Sequence, residues 1–168
     1  HDMVEYACED ITGVSSSQVE MQSGLQFYDG MSTDEIQQIL IKSAADLISL
    51  ENPNYQYVAA RLLLYSLRKQ VIDKLWDHPH IYEHTKKCIE KGVYDPSILE
   101  SYEKKDFDRM ENWINHNRDY DFTYAGLRQV IDKYLVQDRS SGEVFETPQF
   151  MYMMIAATLF AKYPKNKR

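Results

Sequence analysis

The helix start at Ser32 and Thr33 is the strongest candidate for chemistry in this sequence. Ser32 and Glu35 have the Ser-x-x-Glu spacing of a capping box, which places Thr33 in the first turn of a helix. Unpaired backbone N–H groups and the helix dipole suit such a terminus to a phosphate group, and the Thr33 hydroxyl can assist. An ordinary helix cap is the alternative, because Asp34 and Glu35 partly repel an anion.

Lys69 is the second candidate residue for that phosphate site. It lies near the end of the next predicted helix, over residues 53–76, which follows the Ser32 helix after a short turn. Two antiparallel helices joined by a short turn bring the start of one beside the end of the other. Lys69 is therefore expected near Thr33, and a lysine ammonium suits phosphate as a point charge. Its neighbour Arg68 is interpreted as a structural residue.

A metal site is a weaker possibility, raised by the spacing of His80, His84 and Cys88 along one predicted helix. Metal ligands can use such spacing. However, ligands at i, i+4 and i+8 spread over roughly 12 Å of helix axis, so one ion cannot contact both ends. A surface helix with a buried Cys88 is the favoured interpretation.

Several acidic residues raise the possibility of acid–base catalysis. The acidic residues are Asp106, Asp108, Glu111, Asp119 and Asp121, and the basic residues beside them are Lys104, Lys105, Arg109 and Arg118. This mixture of signs favours a solvated charged face. Neither cysteine has a nearby basic residue of the kind that makes a reactive thiolate. No Ser-His-Asp set, P-loop or dinucleotide fingerprint is visible.

Length and composition indicate one domain of ordinary size, or two small lobes that share a core. The chain has 168 residues, 43% of them hydrophobic, and a net charge of −7. The negative charge argues against a nucleic-acid-binding surface. Two cysteines are not a disulfide framework, and no apolar run approaches the roughly 20 residues of a membrane span. A cytoplasmic protein without a membrane or nucleic-acid partner is expected.

The hydrophobic spacing predicts a mainly α fold that positions these candidates. The helices are expected over residues 3–11, 16–27, 32–48, 53–76, 81–91, 105–115, 123–134 and from 148 onward. Two apolar stripes on the 53–76 helix indicate that it is central and packed on two sides. Alternation about Ser141 and Gly142 predicts a small β-hairpin. The stretch WDHPH is the expected division between two helical lobes.

Several longer stretches resemble the large (α) subunit of class I ribonucleotide reductase, in the enterobacterial and T-even phage type. They include QFYDGMSTDEIQQILIKSAADLIS, RDYDFTYAGL followed by KYL, GEVFETPQF and ATLFAKYP, in this order. The resemblance covers essentially the whole chain. It implies an ATP-cone helical portion at residues 1–72 and the family's all-helical N-terminal domain at residues 73–168.

The same resemblance implies a function and a set of partners. The family reduces ribonucleoside diphosphates to deoxyribonucleotides for DNA synthesis, and its ATP-cone binds ATP or dATP as an allosteric effector. A small subunit with a radical-bearing metal centre supplies the oxidising equivalent. The implied partners are therefore the catalytic barrel of the large subunit, the small subunit and, for the full subunit, further copies of itself.

The resemblance also assigns residues to the effector site. Thr33 and Lys69 match cone positions that contact the nucleotide phosphates, and Gln37 falls where well-known bacterial members carry a histidine. This departure puts inhibition by dATP in doubt more than binding. Tyr65 and Ser66 match positions next to the pocket.

Two elements of the family are expected to be absent from these residues. They are the basic β-hairpin that begins the cone and the barrel with its catalytic cysteines, which neither Cys8 nor Cys88 matches. The segment is therefore expected to be inactive alone and to bind ATP weakly. A free-standing helical module for nucleotide sensing or partner docking is the alternative.

Overall fold

The chain is mainly helical, as predicted from the hydrophobic spacing. The computed structural model describes residues 2–164. The α-helices are α1 (Asp2–Cys8), α2 (Ser16–Gly24), α3 (Thr33–Asp46), α4 (Tyr55–Ile72), α5 (Ile81–Glu90), α6 (Ser97–Ser101), α7 (Lys104–Trp113), α8 (Tyr124–Lys133) and α9 (Pro148–Phe160). A 3₁₀ helix, His116–Asp121, lies between α7 and α8. The mainly α class is confirmed.

The chain divides into two compact units that are not continuous in sequence. The first contains residues 2–67 together with Asp119–Asp132, and the second contains Arg68–Arg118 together with residues 133–164. Helix α4 contributes to both. The predicted boundary between residues 72 and 73 concerns family domains and remains a prediction.

The core of the first unit is built around α4. Val58, Leu62 and Leu64 are fully buried, which confirms the predicted central position of this helix. Helix α2 packs against both α1 and α3. The Tyr55 hydroxyl accepts a hydrogen bond from the Ser15 N–H at 3.0 Å and so ties the start of α4 to the start of α2. These contacts fix the helices that carry the candidate phosphate site.

Helix α4 begins later and ends earlier than the sequence predicted. The helix was expected to begin at residue 53, but it starts at Tyr55. The Asn54 side chain donates to the Thr12 carbonyl at 2.9 Å, so a tertiary contact holds this turn outside the helix. At the other end Asp73 has a positive φ of 56°, which stops the helix at Ile72 instead of near residue 76.

The second unit has a core of its own. Its buried members are Ile81, Ile98, Tyr102, Phe107, Met110, Phe150, Met154 and Ala157. Helix α5 packs against α7, and the Tyr102 hydroxyl donates to the Ala157 carbonyl at 2.7 Å. A buried carboxylate, Glu146, accepts hydrogen bonds from the Tyr94 hydroxyl and from the Val136 N–H. Burial raises the pKa of Glu146.

Other differences from the predicted elements have local causes. Helix α2 ends at Gly24 and not at the expected residue 27, and Leu25 and Phe27 beyond it are exposed. Ile48 lies beyond α3 and is also exposed. The predicted β-hairpin is reduced to one antiparallel bridge, Gln137 with Val144. His1 lies outside the described residues.

Candidate phosphate site and its relatives

The start of α3 carries the predicted capping box. The Ser32 Oγ accepts a hydrogen bond from the Glu35 N–H at 3.2 Å, and a Glu35 carboxylate oxygen accepts one from the Ser32 N–H at 2.8 Å. The same oxygen accepts the Ser32 hydroxyl at 2.8 Å. The expected cap is therefore confirmed, and Thr33 is the first residue of the helix.

The Glu35 carboxylate is held in its charged form at this helix start. Hydrogen bonds from Ser32 lower its pKa, and a further bond from the Tyr28 hydroxyl at 3.3 Å acts in the same direction. Sequence reasoning missed Tyr28, which lies seven residues before Glu35 in a turn without periodicity. The result is a helix terminus that already contains one internal anion.

Thr33 is exposed beside this capped terminus. An N–H in the first turn of a helix has no acceptor within the helix, so the Thr33 N–H is directed away from the helix body. The positive end of the helix dipole adds to the attraction for an anion at this point. Thr33 therefore has the exposure and the backbone orientation that a phosphate contact needs.

Gln37 lies one turn further along α3 and is buried. Its side-chain amide donates to the backbone carbonyl of Leu62 on α4 at 3.1 Å. Gln37 thus joins α3 to α4 inside the first unit. The side chain does not project freely into solvent, as a purely phosphate-directed residue would.

Lys69 occupies the last turn of α4 and is exposed. It lies seven residues after Leu62, so both are on the same side of α4. Lys69 belongs to the second unit and Thr33 to the first, so their predicted approach stays a prediction. Of the two residues that the resemblance places next to the pocket, Tyr65 is buried and forms a T-shaped contact with the Tyr120 ring, at a centroid distance of 6.3 Å. Ser66 is half-buried.

Arg68 has the structural role that the sequence predicted. It is 1% exposed, and its guanidinium donates to the carbonyl of Leu75 at 3.1 Å and to the carbonyl of His116 at 2.8 Å. The basic pair at the end of α4 therefore divides into one buried structural residue and one exposed cation.

The alternative sites are placed separately from α3. His80 is the N-cap of α5, while His84 and Cys88 are both buried, so the prediction of a surface helix was wrong for His84. Burial raises the pKa of the Cys88 thiol to about 11. Within residues 2–164, no group of three or more His, Cys, Asp or Glu side chains is arranged to hold a metal ion.

The carboxylates considered for acid–base chemistry are used in other ways. Asp108 forms an ion pair with Lys104, its carboxylate lies 3.3 Å from the His80 Nε2, and Glu111 accepts a hydrogen bond from the Ile81 N–H at 2.8 Å. Asp119 is 1% exposed, so the predicted solvated face was wrong for this residue. No helix in the described part of the chain is long and apolar enough to cross a membrane.

Comparison with known proteins shows which family the chain resembles. Residues 3–70 match the ATP cone domain, and residues 120–167 match the ribonucleotide reductase all-alpha domain. The chain is 45% identical over all 168 residues to ribonucleoside-diphosphate reductase subunit alpha of Haemophilus influenzae. The chain belongs to the large-subunit family of ribonucleotide reductases.

Other members of this reductase family are similar to the chain over all or most of its length. Identity is 45% over 168 residues to ribonucleoside-diphosphate reductase 1 subunit alpha of Escherichia coli strain K12. It is 41% over 157 residues to the corresponding subunit alpha of Enterobacteria phage T4. The chain spans about a fifth of these relatives, 22% of the bacterial proteins and 21% of the phage protein. The resemblance to the large subunit of ribonucleotide reductase, which was stated from the sequence, is therefore confirmed.

Proposed function

We propose that this chain is the regulatory segment of a ribonucleoside-diphosphate reductase large subunit and that its ATP cone binds ATP or dATP through Thr33, Lys69 and Gln37. The match of residues 3–70 to the ATP cone domain carries this proposal. The capped and exposed start of α3 supports it, because a phosphate can reach the Thr33 N–H and hydroxyl there. The effector nucleotide is not consumed at such a site.

Each proposed residue has a distinct role toward the nucleotide. Thr33 offers a backbone N–H and a hydroxyl to a phosphate oxygen, and Lys69 offers a flexible positive charge. Gln37, through its bond to the Leu62 carbonyl, sets the spacing between α3 and α4 next to Thr33. The Glu35 carboxylate keeps this end of α3 capped, so the phosphate binds beside it.

The activity of the complete subunit is part of the same proposal. It reduces ribonucleoside diphosphates, as the names of its relatives indicate, and it yields deoxyribonucleotides in the cytoplasm. The remainder of the large subunit supplies the catalytic barrel, and a small subunit with a metal centre generates the radical. The large subunit works as a homo-oligomer, and the segment described here regulates it.

The groove on α9 is the proposed contact surface for the remainder of the large subunit. This groove of about 680 Å³ is lined by apolar side chains that include Ile98, Met154, Ile155 and Leu159. The relatives are several times longer than this chain, so they contain enough additional polypeptide to cover it. A free-standing partner-docking module would use the same surface for a separate protein.

Nucleotide titration of the ¹⁵N-labelled chain tests the effector site. We expect ATP and dATP to shift the amide signals of Thr33 and Asp34 at millimolar concentration. Thr33→Ala and Lys69→Ala should each weaken binding about tenfold, since a hydrogen bond to a charged group contributes about 1.5–3 kcal/mol.

Two controls make this titration specific. Lys42→Ala removes an exposed lysine from the middle of α3 and should leave ATP binding unchanged. Adenosine, which lacks phosphates, should not shift Thr33. Tight ATP binding that survives Thr33→Ala combined with Lys69→Ala would contradict the proposed site.

A further inference from the structure

Two imidazole rings lie stacked in the second unit. The rings of His78 and His116 are nearly parallel, with an interplanar angle of 7° and a centroid distance of 3.6 Å. His78 lies in the connection between α4 and α5, and His116 begins the 3₁₀ helix after α7. The stack therefore joins two connecting segments that are 38 positions apart in the numbering.

A third imidazole and one phenylalanine complete the cluster. The His116 ring meets the Phe150 ring edge to face at 4.9 Å, and the His84 ring stacks on Phe150 at 4.3 Å. His78 also approaches Phe150 edgewise at 6.4 Å. We call His78, His84, His116 and Phe150 the histidine cluster. Its rings come from α5, α9 and both connecting segments, so it is a junction of the second unit.

Most ring nitrogens of the stacked pair lack a hydrogen-bond partner among the described residues. The Nδ1 atom of His78 lies 3.2 Å from the Trp76 carbonyl, an acceptor, so Nδ1 carries the hydrogen in this bond. Among the described residues, the buried His78 Nε2 and both ring nitrogens of His116 have no hydrogen-bond partner. Burying such a nitrogen costs much less free energy in a neutral ring than in a charged ring, because a buried charge without a hydrogen-bond partner is strongly destabilising.

Positive charge already lies beside the stack. The Arg68 guanidinium donates to the backbone carbonyl of His116 at 2.8 Å. Lys74, Asp77, Glu83 and Lys87 line a cavity of about 240 Å³ next to His78 and His84. Asp77 favours the charged form of His78, but it is exposed and bonded to Lys74, so it offsets Arg68 only in part.

These surroundings lower the pKa values of all three histidines. Burial is the largest cause, and it lowers the pKa of His78 to about 4 and that of His84 to about 4. Burial together with His78, Arg68 and His84 lowers the pKa of His116 to about 3. The cluster is therefore neutral near pH 7.

We propose that the His78–His116 stack is a proton-sensitive latch that holds the α4–α5 connection against the segment after α7 only while both rings are uncharged. A proton on either ring creates a buried cation in contact with its neighbour and beside Arg68. The two segments then separate so that the rings reach water. The first unit, which contains none of these rings, keeps its structure at that stage.

The direction of the pH effect follows from the lowered pKa values. The unfolded chain binds protons at these histidines below about pH 6.5, whereas the folded chain does not until about pH 4 or 3. The stability that the neutral histidines give the folded chain is therefore fully present above pH 6.5 and is lost as the pH falls from 6.5 toward 4. In this window, each histidine that the folded chain keeps neutral lowers the folding equilibrium constant by up to about tenfold for each unit by which the pH falls.

Urea unfolding between pH 7 and pH 5 tests the latch. His78→Phe keeps an aromatic ring and removes one titrating group. As the pH falls below 6, the folding equilibrium constant should therefore decrease by about tenfold less per pH unit in this variant than in the wild type. His80→Asn is the matched control, because it removes a nearby histidine outside the stack and keeps a good N-cap for α5. It should retain the wild-type pH dependence.

Histidine NMR signals provide a second measurement that does not depend on the variants folding. In the wild-type chain the ring signals of His78 and His116 should not titrate near pH 6.5, and amide exchange below pH 5 should rise first at residues 73–80 and 114–118. An ordinary titration near pH 6.5 for either ring would overturn the latch. Equal pH dependence in His78→Phe and wild type, or simultaneous exposure of α1–α3, would also overturn it.

Discussion

The side-chain amide of Gln37 donates a hydrogen bond to the backbone carbonyl of Leu62, across the interface of α3 and α4. Both groups are buried, and their N···O distance is 3.1 Å. This bond directly ties the helix that carries the candidate phosphate site to the central helix of the first unit. It makes the position of the α3 start depend on a residue that the family resemblance assigned to the effector site.

Replacing this amide tests its structural part. Gln37→Ala should lower the free energy of unfolding by about 1 kcal/mol, the typical net contribution of one hydrogen bond, because the Leu62 carbonyl retains its place in α4. Urea denaturation followed by circular dichroism measures the change. Gln38→Ala, at the exposed neighbouring position on α3, should have little effect. Equal losses in the two variants would show that the bond to Leu62 does not stabilise the fold.

Removing the buried guanidinium of Arg68 should lower the stability of the fold more than removing the Gln37 amide. Arg68→Met keeps much of the side-chain volume but removes the donors to Leu75 and His116. We expect a loss of about 3 kcal/mol in the free energy of unfolding, because each hydrogen bond from a charged group contributes about 1.5–3 kcal/mol. Chemical denaturation monitored by tryptophan fluorescence is the measurement.

A surface arginine provides the comparison for Arg68. Arg128→Met removes an exposed i, i+4 pair with Asp132 and should change the stability by less than about 0.5 kcal/mol. If Arg68→Met were as mild as Arg128→Met, the buried hydrogen bonds would not support the second unit.

The exposed face of α9 predicts self-association of the isolated chain. Tyr152, Ile155, Leu159 and Phe160 are between 46% and 68% exposed on this helix. Contiguous apolar surface of this kind promotes association. Sedimentation velocity at increasing concentration should show dimers or larger species, and Leu159→Lys should shift the population toward monomer.

An isolated exposed leucine is the control for this surface. Leu50 is 97% exposed and lies outside the helices, so Leu50→Lys should leave the association unchanged. A wild-type chain that remains a monomer at high concentration would contradict the prediction.

Local sequence rules predicted the elements that depend on local interactions. The capping box of Ser32 and Glu35 and the buried stripes of α4 follow from spacing alone, because neighbouring residues of one helix determine both. Helix α6 was missed, since five residues are too few for periodicity to appear. The late start of α4 was missed because the Asn54 side chain bonds to Thr12, 42 residues away.

The candidate phosphate site was predictable only in part, because some of its contacts join residues that are far apart in the sequence. The exposure of Thr33 follows from its place after an N-cap, but the partner of Gln37 depends on which carbonyl of α4 faces α3. The burial of His84 was also missed, because an apolar spacing rule does not count a neutral imidazole as a core residue. Its contact with Phe150 exists only in the folded chain.

The interleaved order of the two units has a consequence for synthesis on the ribosome. The first unit needs Asp119–Asp132, which emerges after the whole stretch Arg68–Arg118 of the second unit. At typical translation rates this delay lasts several seconds, which is long compared with helix formation. The nascent chain must therefore hold helices α1–α4 in an unfinished state until their last segment leaves the exit tunnel, and that interval is when a chaperone has most access to them.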